Sequence, residues 1–155
     1  EYLPQNGLKL NIPSFDDVIG DGYTPSTLHL IISPSGVGKS ALLSTFAVQF
    51  LKQGRDVVLL SLEMSEAQFY KRIDANLFNI DIYDLGTIDK QVLKNKYQQI
   101  KEGLGRLVVK EFPAGSLSPL GVDSFLDKLK TEEGIDNPIV MVDYLTLMKS
   151  DLLKA

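Results

Sequence analysis

Residues 28–40 read Leu-His-Leu-Ile-Ile-Ser-Pro-Ser-Gly-Val-Gly-Lys-Ser, and this stretch decides the fold. The apolar residues at its start predict a buried β-strand over residues 27–33, and helical spacing of apolar residues from position 39 onward predicts a helix. The turn between them contains two glycines, so its backbone N–H groups can converge on an anion, and the helix start adds roughly half a positive charge. The stretch therefore predicts a strand, a phosphate-binding loop and a helix.

The loop matches the P-loop pattern G-x-x-x-x-G-K-[ST] except at its first position, which is Ser33. Lys39 can reach the β- and γ-phosphates of a nucleoside triphosphate, and the Ser40 hydroxyl can ligate Mg²⁺. The alternative is a chance glycine turn, but the predicted flanking strand and helix favour a nucleotide site. The predicted nucleotide-binding residues are Ser33, Pro34, Ser35, Gly36, Val37, Gly38, Lys39, Ser40 and Ala41.

The composition is that of one globular domain. The chain has 155 residues, of which 44% are hydrophobic and 23% charged. Cysteine is absent, which excludes disulfides and thiolate metal sites, and the net charge of −4 gives no overall attraction to nucleic acid. No apolar run is long enough to span a bilayer and no signal peptide is present. We therefore expect a cytoplasmic protein without a membrane partner.

Apolar runs and helical spacings alternate along the rest of the chain. Helices are predicted within residues 13–22, over 39–53, after the capping box Ser65-x-x-Gln68, over 88–102 with Thr87 as cap, and around 122–129 after a loop at 113–121. In the helix over 88–102, we expect Leu93, Tyr97 and Ile100 to face inward. Strands are predicted over residues 57–62, 107–112 and 139–143. This alternation indicates an α/β fold with a parallel sheet.

Two acidic residues follow predicted strands. Because ligands of parallel α/β sheets bind at the carboxyl ends of strands, Glu63 and Asp143 are expected near the loop at 33–40. Asp143 ends an apolar strand and can hold Mg²⁺, whereas its alternative role is to cap a turn. Glu63 is the predicted general base that deprotonates a water, whereas its alternative role is to stabilise the start of the next helix.

Lys71 and Arg72 lie on the helix after Glu63. They are interpreted as solvated surface charges, with a subunit contact or a phosphate contact as the alternative.

Two segments resemble a known family. Ser61-Leu62-Glu63-Met64-Ser65 and Val142-Asp143-Tyr144-Leu145 are similar to motifs of DnaB-type replicative helicases, which are RecA-like hexameric ATPases. Residues 71–76 and 105–110 look closest to the helicases of T-even-like tailed phages. The resemblance implies a RecA-like P-loop NTPase in three layers with a parallel sheet, truncated after the Walker B strand. Residues 1–26 are interpreted as a lead-in segment and linker, and residues 27–155 as the N-terminal half of the ATPase domain.

The same resemblance implies a homo-hexamer that uses ATP and Mg²⁺ to move 5′ to 3′ on single-stranded DNA and to unwind fork DNA, with a primase and a helicase loader as partners. Lys39 and Glu63 are the implied catalytic residues, and Ser40 and Asp143 the metal-binding ones. The γ-phosphate sensor, the DNA-binding loops and the arginine finger are expected beyond Ala155. Since an arginine finger is worth about 10³–10⁵ in rate, the 155 residues alone are expected to hydrolyse ATP very slowly.

The resemblance also implies a gap in the sheet. The family places the strand that follows the Walker B strand, here residues 139–143, between that strand and the Walker A strand, here residues 27–33. The gap could stay open, close, or be filled by another chain. Alternative functions are a RecA-like recombinase or other hexameric ATPase, a small-molecule kinase, and a nucleotide-binding module without turnover.

Overall fold

The computed structural model describes residues 7–151. Its helices are α1 (Pro13–Ile19), α2 (Lys39–Lys52), α3 (Glu66–Phe78), α4 (Lys90–Ile100) and α5 (Pro119–Glu133). Its strands are β1 (Val57–Ser61), β2 (Leu107–Glu111) and β3 (Ile139–Asp143), and a short 3₁₀ turn spans Leu145–Leu147. The predicted lead-in lies partly outside the described residues, and its separation from the ATPase domain at residue 27 stays a prediction.

The three strands form one parallel sheet in the order β2-β1-β3. All five residues of β1 are buried, because helices cover both of its faces. Val57 and Leu59 pack with α2 and α3, whereas Val58 and Leu60 pack against residues of α5 on the other side. This alternation gives three layers and confirms the predicted α/β class.

The local signals for α2 and α3 are confirmed. Gly38 precedes α2 in the left-handed region, and Gly54 follows it with a φ of +72°, where a side chain would be strained. Ser65 begins α3 with a complete capping box: its side chain accepts from the Gln68 amide, and the Gln68 side chain accepts from the Ser65 amide. These caps fix where the polypeptide leaves the sheet for each helix.

The predicted strand over residues 27–33 is wrong. This segment forms no sheet ladder with any strand among residues 7–151, and Leu28 and Ile32 are 92% and 84% exposed. Ile31 alone of the predicted strand's apolar residues packs against the core. A β-strand needs backbone partners on a neighbouring strand, and β3 does not approach this segment in register. Because residues 27–33 form no strand beside β3, the expected gap between these two segments, and whether it is open, closed or filled, stays a prediction.

Three smaller predictions about the helices are also wrong. Asp89, rather than Thr87, caps α4 by accepting from the Gln91 amide, while Thr87 donates to the Asp84 carbonyl. Tyr97 and Ile100 are exposed, because no element packs closely over that face of α4. Helix α5 begins earlier than expected, at Pro119 within the predicted loop, because Ser118 caps it.

Candidate nucleotide-binding site

The loop before α2 has the backbone that glycine permits. Gly36 and Gly38 have φ angles of +78° and +100°, a region that other residues adopt only with strain. No atom lies within 4 Å of the position that a Cβ would take at either glycine, so the requirement is conformational rather than steric. The loop is largely exposed, and the first turn of α2 presents its free N–H groups beside it.

Ser40 and Asp143 meet at the rim of the sheet. The Ser40 hydroxyl donates to Oδ2 of Asp143 at 2.7 Å, although the two residues are 103 positions apart. Asp143 is the last residue of β3 and is only 1% exposed, so its carboxylate is held against the start of α2. This contact brings the phosphate-binding loop to the end of a strand that was predicted to carry a metal ligand.

The Lys39 side chain lies over the loop that precedes it. Its ammonium group donates to the carbonyl oxygens of Ser33 at 3.1 Å and Pro34 at 2.9 Å. These two bonds keep the positive charge beside the turn, where phosphate oxygens can replace the carbonyls as acceptors. Ser33, at the position where the motif has glycine, therefore contributes a backbone carbonyl to this arrangement.

Glu63 lies just beyond β1 and at the same end of the sheet. The amide of Leu62 donates to the Asp143 carbonyl at 2.7 Å, which joins the segment carrying Glu63 to the end of β3. The Glu63 side chain is exposed and makes no hydrogen bond or ion pair within residues 7–151. The structure thus places Glu63 at the rim without joining its carboxylate to Ser40 or Asp143.

The oxygens of Ser40 and Asp143 fit one Mg²⁺ site. Adjacent ligands of an octahedral Mg²⁺ at 2.0–2.1 Å lie about 3 Å from each other, close to the separation observed between these two oxygens. The part of the chain that the structure describes has no group of three or more His, Asp or Glu residues able to hold a metal. A site with few protein ligands suits Mg²⁺, which keeps several waters and binds substrate phosphates.

A cavity of about 420 Å³ lies between α2, α3 and the loop after α3. It begins at Ala41, directly after Ser40, and Arg72 and Ile80 contribute to its lining. The Arg72 side chain is half-buried and has no hydrogen bond or ion pair to any residue in the described range. Asn76 and Thr45 both line the cavity, and the Asn76 side-chain amide donates to the Thr45 hydroxyl at 3.0 Å.

Sequence patterns did not identify this cavity. Thr45, Arg72 and Asn76 lie on two helices, and only the packing of α2 on α3 brings them together. One sequence signal could have indicated the cavity. Arg72 and Asn76 are four residues apart and therefore lie on one face of α3, which packs against α2.

Comparison with known proteins decides the family. A sequence profile of the DnaB-like helicase C terminal domain matches residues 7–154. The chain belongs to this family. A DnaB-like replicative helicase of Enterobacteria phage T4 is 35% identical over 133 residues, which is 83% of this chain and 28% of that protein. The resemblance inferred from the motifs at Glu63 and Asp143, and with it the RecA-like fold class, is therefore confirmed.

Two other relatives match parts of the chain. The replicative DNA helicase DnaB of Mycoplasma genitalium is 28% identical over 141 residues, or 86% of this chain and 29% of that protein. The DNA repair protein RadA of Campylobacter jejuni is 38% identical over 88 residues, or 53% of this chain and 20% of that protein. The chain spans less than a third of the length of each relative. Within residues 7–151, no helix has the length and apolar character to cross a membrane.

Proposed function

We propose that this chain is the ATP-binding and ATP-hydrolysing part of a replicative DNA helicase. The observation that carries the proposal is the 2.7 Å contact between Ser40 and Asp143, because it joins a phosphate-binding loop to an acidic strand end as a Mg²⁺–nucleotide site requires. Its membership of the DnaB-like family supports the helicase role.

In this proposal, the loop and Lys39 hold the triphosphate. Backbone N–H groups of residues 33–41 and the positive end of α2 bind phosphate oxygens. The Lys39 ammonium exchanges the Ser33 and Pro34 carbonyls, its acceptors in this structure, for oxygens of the β- and γ-phosphates. The exchange is expected to cost little free energy, because the ammonium group keeps the same number of hydrogen-bond acceptors.

Ser40 and Asp143 would hold Mg²⁺, which would supply positive charge to stabilise the transferred phosphoryl group. Asp143 can keep its position without the ion, because its carboxylate is buried and bonded to Ser40. To hold the ion, the Ser40 hydroxyl would have to turn its proton away from Asp143, while its place on the first turn of α2 is fixed by the helix.

Glu63 is the proposed general base. Its carboxylate takes a proton from water, the water oxygen bonds to the γ-phosphorus, and the bond from that phosphorus to the bridging oxygen breaks to release ADP. The exposed position of Glu63 at the carboxyl end of β1 supports this role, since a base needs access to the attacking water.

The cavity between α2 and α3 is the proposed place for the nucleoside. It opens beside Ala41, on the turn of α2 that follows the phosphate site. The unpaired Arg72 guanidinium can stack on a purine ring, and Asn76 and Thr45 can bond to its edge or to the ribose. Arg72→Ala is expected to raise the KM for ATP several-fold with less effect on kcat, whereas the exposed neighbour Lys71→Ala is expected to change neither.

The remaining roles belong to the intact protein. We propose a homo-hexamer in the cytoplasm, of the host cell if the protein is phage-encoded, that moves 5′ to 3′ on single-stranded DNA, unwinds fork DNA, and works with a primase and a loader. The DNA contacts, the γ-phosphate sensor and the arginine finger are placed outside these 155 residues, so the chain alone is expected to hydrolyse ATP very slowly. DNA-stimulated turnover by the 155 residues alone would contradict this expectation.

The experiment is an ATPase assay of the intact protein with and without single-stranded DNA, beside the Lys39→Ala variant. Loss of the lysine charge from the phosphate site is expected to abolish turnover, and single-stranded DNA is expected to stimulate the wild-type protein. Lys52→Ala, at the far end of α2, is the matched control and should leave turnover unchanged. An unaffected rate in Lys39→Ala would place the reaction elsewhere.

A second function is favoured by one observation. The similarity to a DNA repair protein, RadA, over 88 residues supports a RecA-like ATPase acting in recombination or repair. Duplex unwinding from a 5′ tail by the intact protein supports the helicase, whereas strand exchange without unwinding supports this alternative.

A further inference from the structure

The segment between β1 and α3 carries Glu63, and one buried hydroxyl determines its shape. We propose that Ser61, the last residue of β1, is a positioning residue that holds Glu63 in place for the attacking water. This inference rests on the proposed role of Glu63 as general base.

The Ser61 hydroxyl closes the turn that contains Glu63. Ser61 is fully buried; its Oγ donates to the Met64 carbonyl at 2.6 Å and accepts from the Met64 amide at 2.9 Å. Both backbone polar groups of one residue therefore converge on one side-chain oxygen. A turn closed in this way holds Leu62 and Glu63 between two fixed points.

Both ends of this turn are anchored. The Ser61 carbonyl accepts from the Phe112 amide at 2.8 Å, and the Leu62 amide donates to the Asp143 carbonyl at 2.7 Å. At the other end, Ser65 begins α3 with its capping box. Because the Glu63 side chain makes no hydrogen bond or ion pair within residues 7–151, the backbone of this turn sets the position from which its carboxylate extends.

Loss of the hydroxyl is expected to affect catalysis more than nucleotide binding. A general base must lie within hydrogen-bond reach of the water, and a misplacement of about 1 Å can cost about 100-fold in rate. Lys39, Ser40 and Asp143 hold the phosphates and the metal through other elements, α2 and β3. Ser61→Ala is therefore expected to lower kcat about 10- to 100-fold while the KM for ATP changes less than about twofold.

The test measures kcat and KM for ATP in the intact protein. The variants are Ser61→Ala, Glu63→Gln and their combination, with Ser116→Ala as the matched control. Ser116 is an exposed residue of the loop after β2 whose hydroxyl also bonds to a local backbone carbonyl, that of Pro113 at 2.6 Å, but its turn carries none of the proposed site residues. We expect wild-type kinetics for Ser116→Ala, and we expect the double variant to be no slower than Glu63→Gln alone.

Ser61→Cys tests the same claim if the alanine variant does not fold. A thiol is a weaker donor and acceptor than a hydroxyl, so its kcat is expected to lie between those of wild type and Ser61→Ala, or several-fold below wild type if no alanine protein is obtained. Wild-type kcat in Ser61→Ala or Ser61→Cys would overturn the proposal. An equal further loss when Ser61→Ala is added to Glu63→Gln would also overturn it.

The outcomes separate this proposal from the proposed function. If Lys39→Ala and Glu63→Gln abolish turnover but Ser61→Ala does not reduce it, only the role of Ser61 fails. If Glu63→Gln turns over at the wild-type rate, Glu63 is not the base and both proposals fail.

Discussion

The two outer strands of the sheet place a carboxylate beside the same residue, yet the two edges differ. Glu111 of β2 and Asp143 of β3 both lie next to Ser61 in the register of the sheet. Asp143 is buried and bonded to Ser40, whereas the Glu111 side chain is exposed. The position of a carboxylate at a strand end is thus insufficient to make a site; a helix start must also face it.

Side chains from α3 satisfy the outer edge of β2. The Tyr70 hydroxyl accepts from the Val109 amide at 3.3 Å, and Glu66 Oε1 accepts from the Glu111 amide at 3.2 Å. Lys110 adds an ion pair to Glu66 at 3.1 Å. These contacts give two of the edge amides the partners that another strand would supply, so this edge is partly satisfied within the chain.

The outer edge of β3 has no such cover among residues 7–151. Val140 of β3 is 37% exposed, and Leu28, Leu30 and Ile32 of the segment before α2 are also exposed to solvent. Exposed apolar groups of this size mark a surface that packs against another element. The β2 edge therefore carries structural contacts, whereas the β3 edge adjoins the proposed site.

The largest expected effect separates the two carboxylates. Asp143→Asn in the intact protein is expected to lower kcat by about 100-fold or more, because a bound metal supplies several kcal/mol of charge stabilisation. Glu111→Gln, at the equivalent position of β2, is expected to change kcat less than twofold. Steady-state ATPase assays measure both. Equal losses in the two variants would remove the functional distinction between the edges.

Tyr70→Phe tests the cover of the β2 edge. The change removes the acceptor for the Val109 amide and is expected to lower the free energy of unfolding of the chain by about 1 kcal/mol, without affecting the metal site. Urea denaturation measures the loss. Tyr83→Phe is the control, because Tyr83 is exposed and its hydroxyl makes no bond within the described range. If both tyrosines gave the same result, Tyr70 would not be covering the edge.

Glu66 makes the stability of the β2 edge depend on pH. The Glu111 amide, followed by the Lys110 ammonium, lowers the pKa of Glu66 below its ordinary value. A lowered pKa in the folded state means that the stabilisation is present above the unfolded pKa of about 4.3 and is lost as pH falls through the folded value.

The urea midpoint of the wild-type chain is therefore expected to exceed that of Glu66→Gln slightly at pH 7, and the difference is expected to shrink below about pH 4. Glu132→Gln, on the exposed face of α5, controls for the loss of a surface charge. A difference that grows on acidification would have the wrong sign and would contradict the assigned role of Glu66.

The smallest effect is expected in the exposed segment before α2. Ile32→Lys should change the free energy of unfolding of the chain by less than about 0.5 kcal/mol, because Ile32 is already exposed to solvent. Ile31→Lys should destabilise it by more, since Ile31 packs against the core. Chemical denaturation measures the free energy of unfolding of both variants. A large loss in Ile32→Lys would mean that Ile32 is packed within the chain rather than exposed.

Local signals predicted most of the fold. The capping box at Ser65, the glycine after α2 and the apolar run of β1 each depend on neighbours in sequence, and all are confirmed. The Ser118-Pro119 pair marks the start of α5 by the same kind of signal, a cap followed by proline at the first helical position.

The errors concern partners that lie far away in sequence. Residues 27–33 have the pattern of a strand, but a strand exists only where another backbone pairs with it. The spacing of apolar residues indicated an apolar face of α4, but it could not show that the rest of the chain leaves this face largely exposed. Within the site, Ser40 and Asp143 were predictable from their motifs, whereas the two bonds between Ser61 and Met64 required coordinates.

The most direct test of the account is the Mg²⁺ dependence of nucleotide affinity in the intact protein. A non-hydrolysable ATP analogue is titrated with Mg²⁺ or with excess chelator into wild type, Ser40→Ala, Asp143→Asn and Glu111→Gln. The account predicts that Mg²⁺ strengthens binding about tenfold or more in wild type and Glu111→Gln, and that most of this gain is lost in Ser40→Ala and Asp143→Asn. Full retention of the Mg²⁺ effect in both of these variants would contradict it.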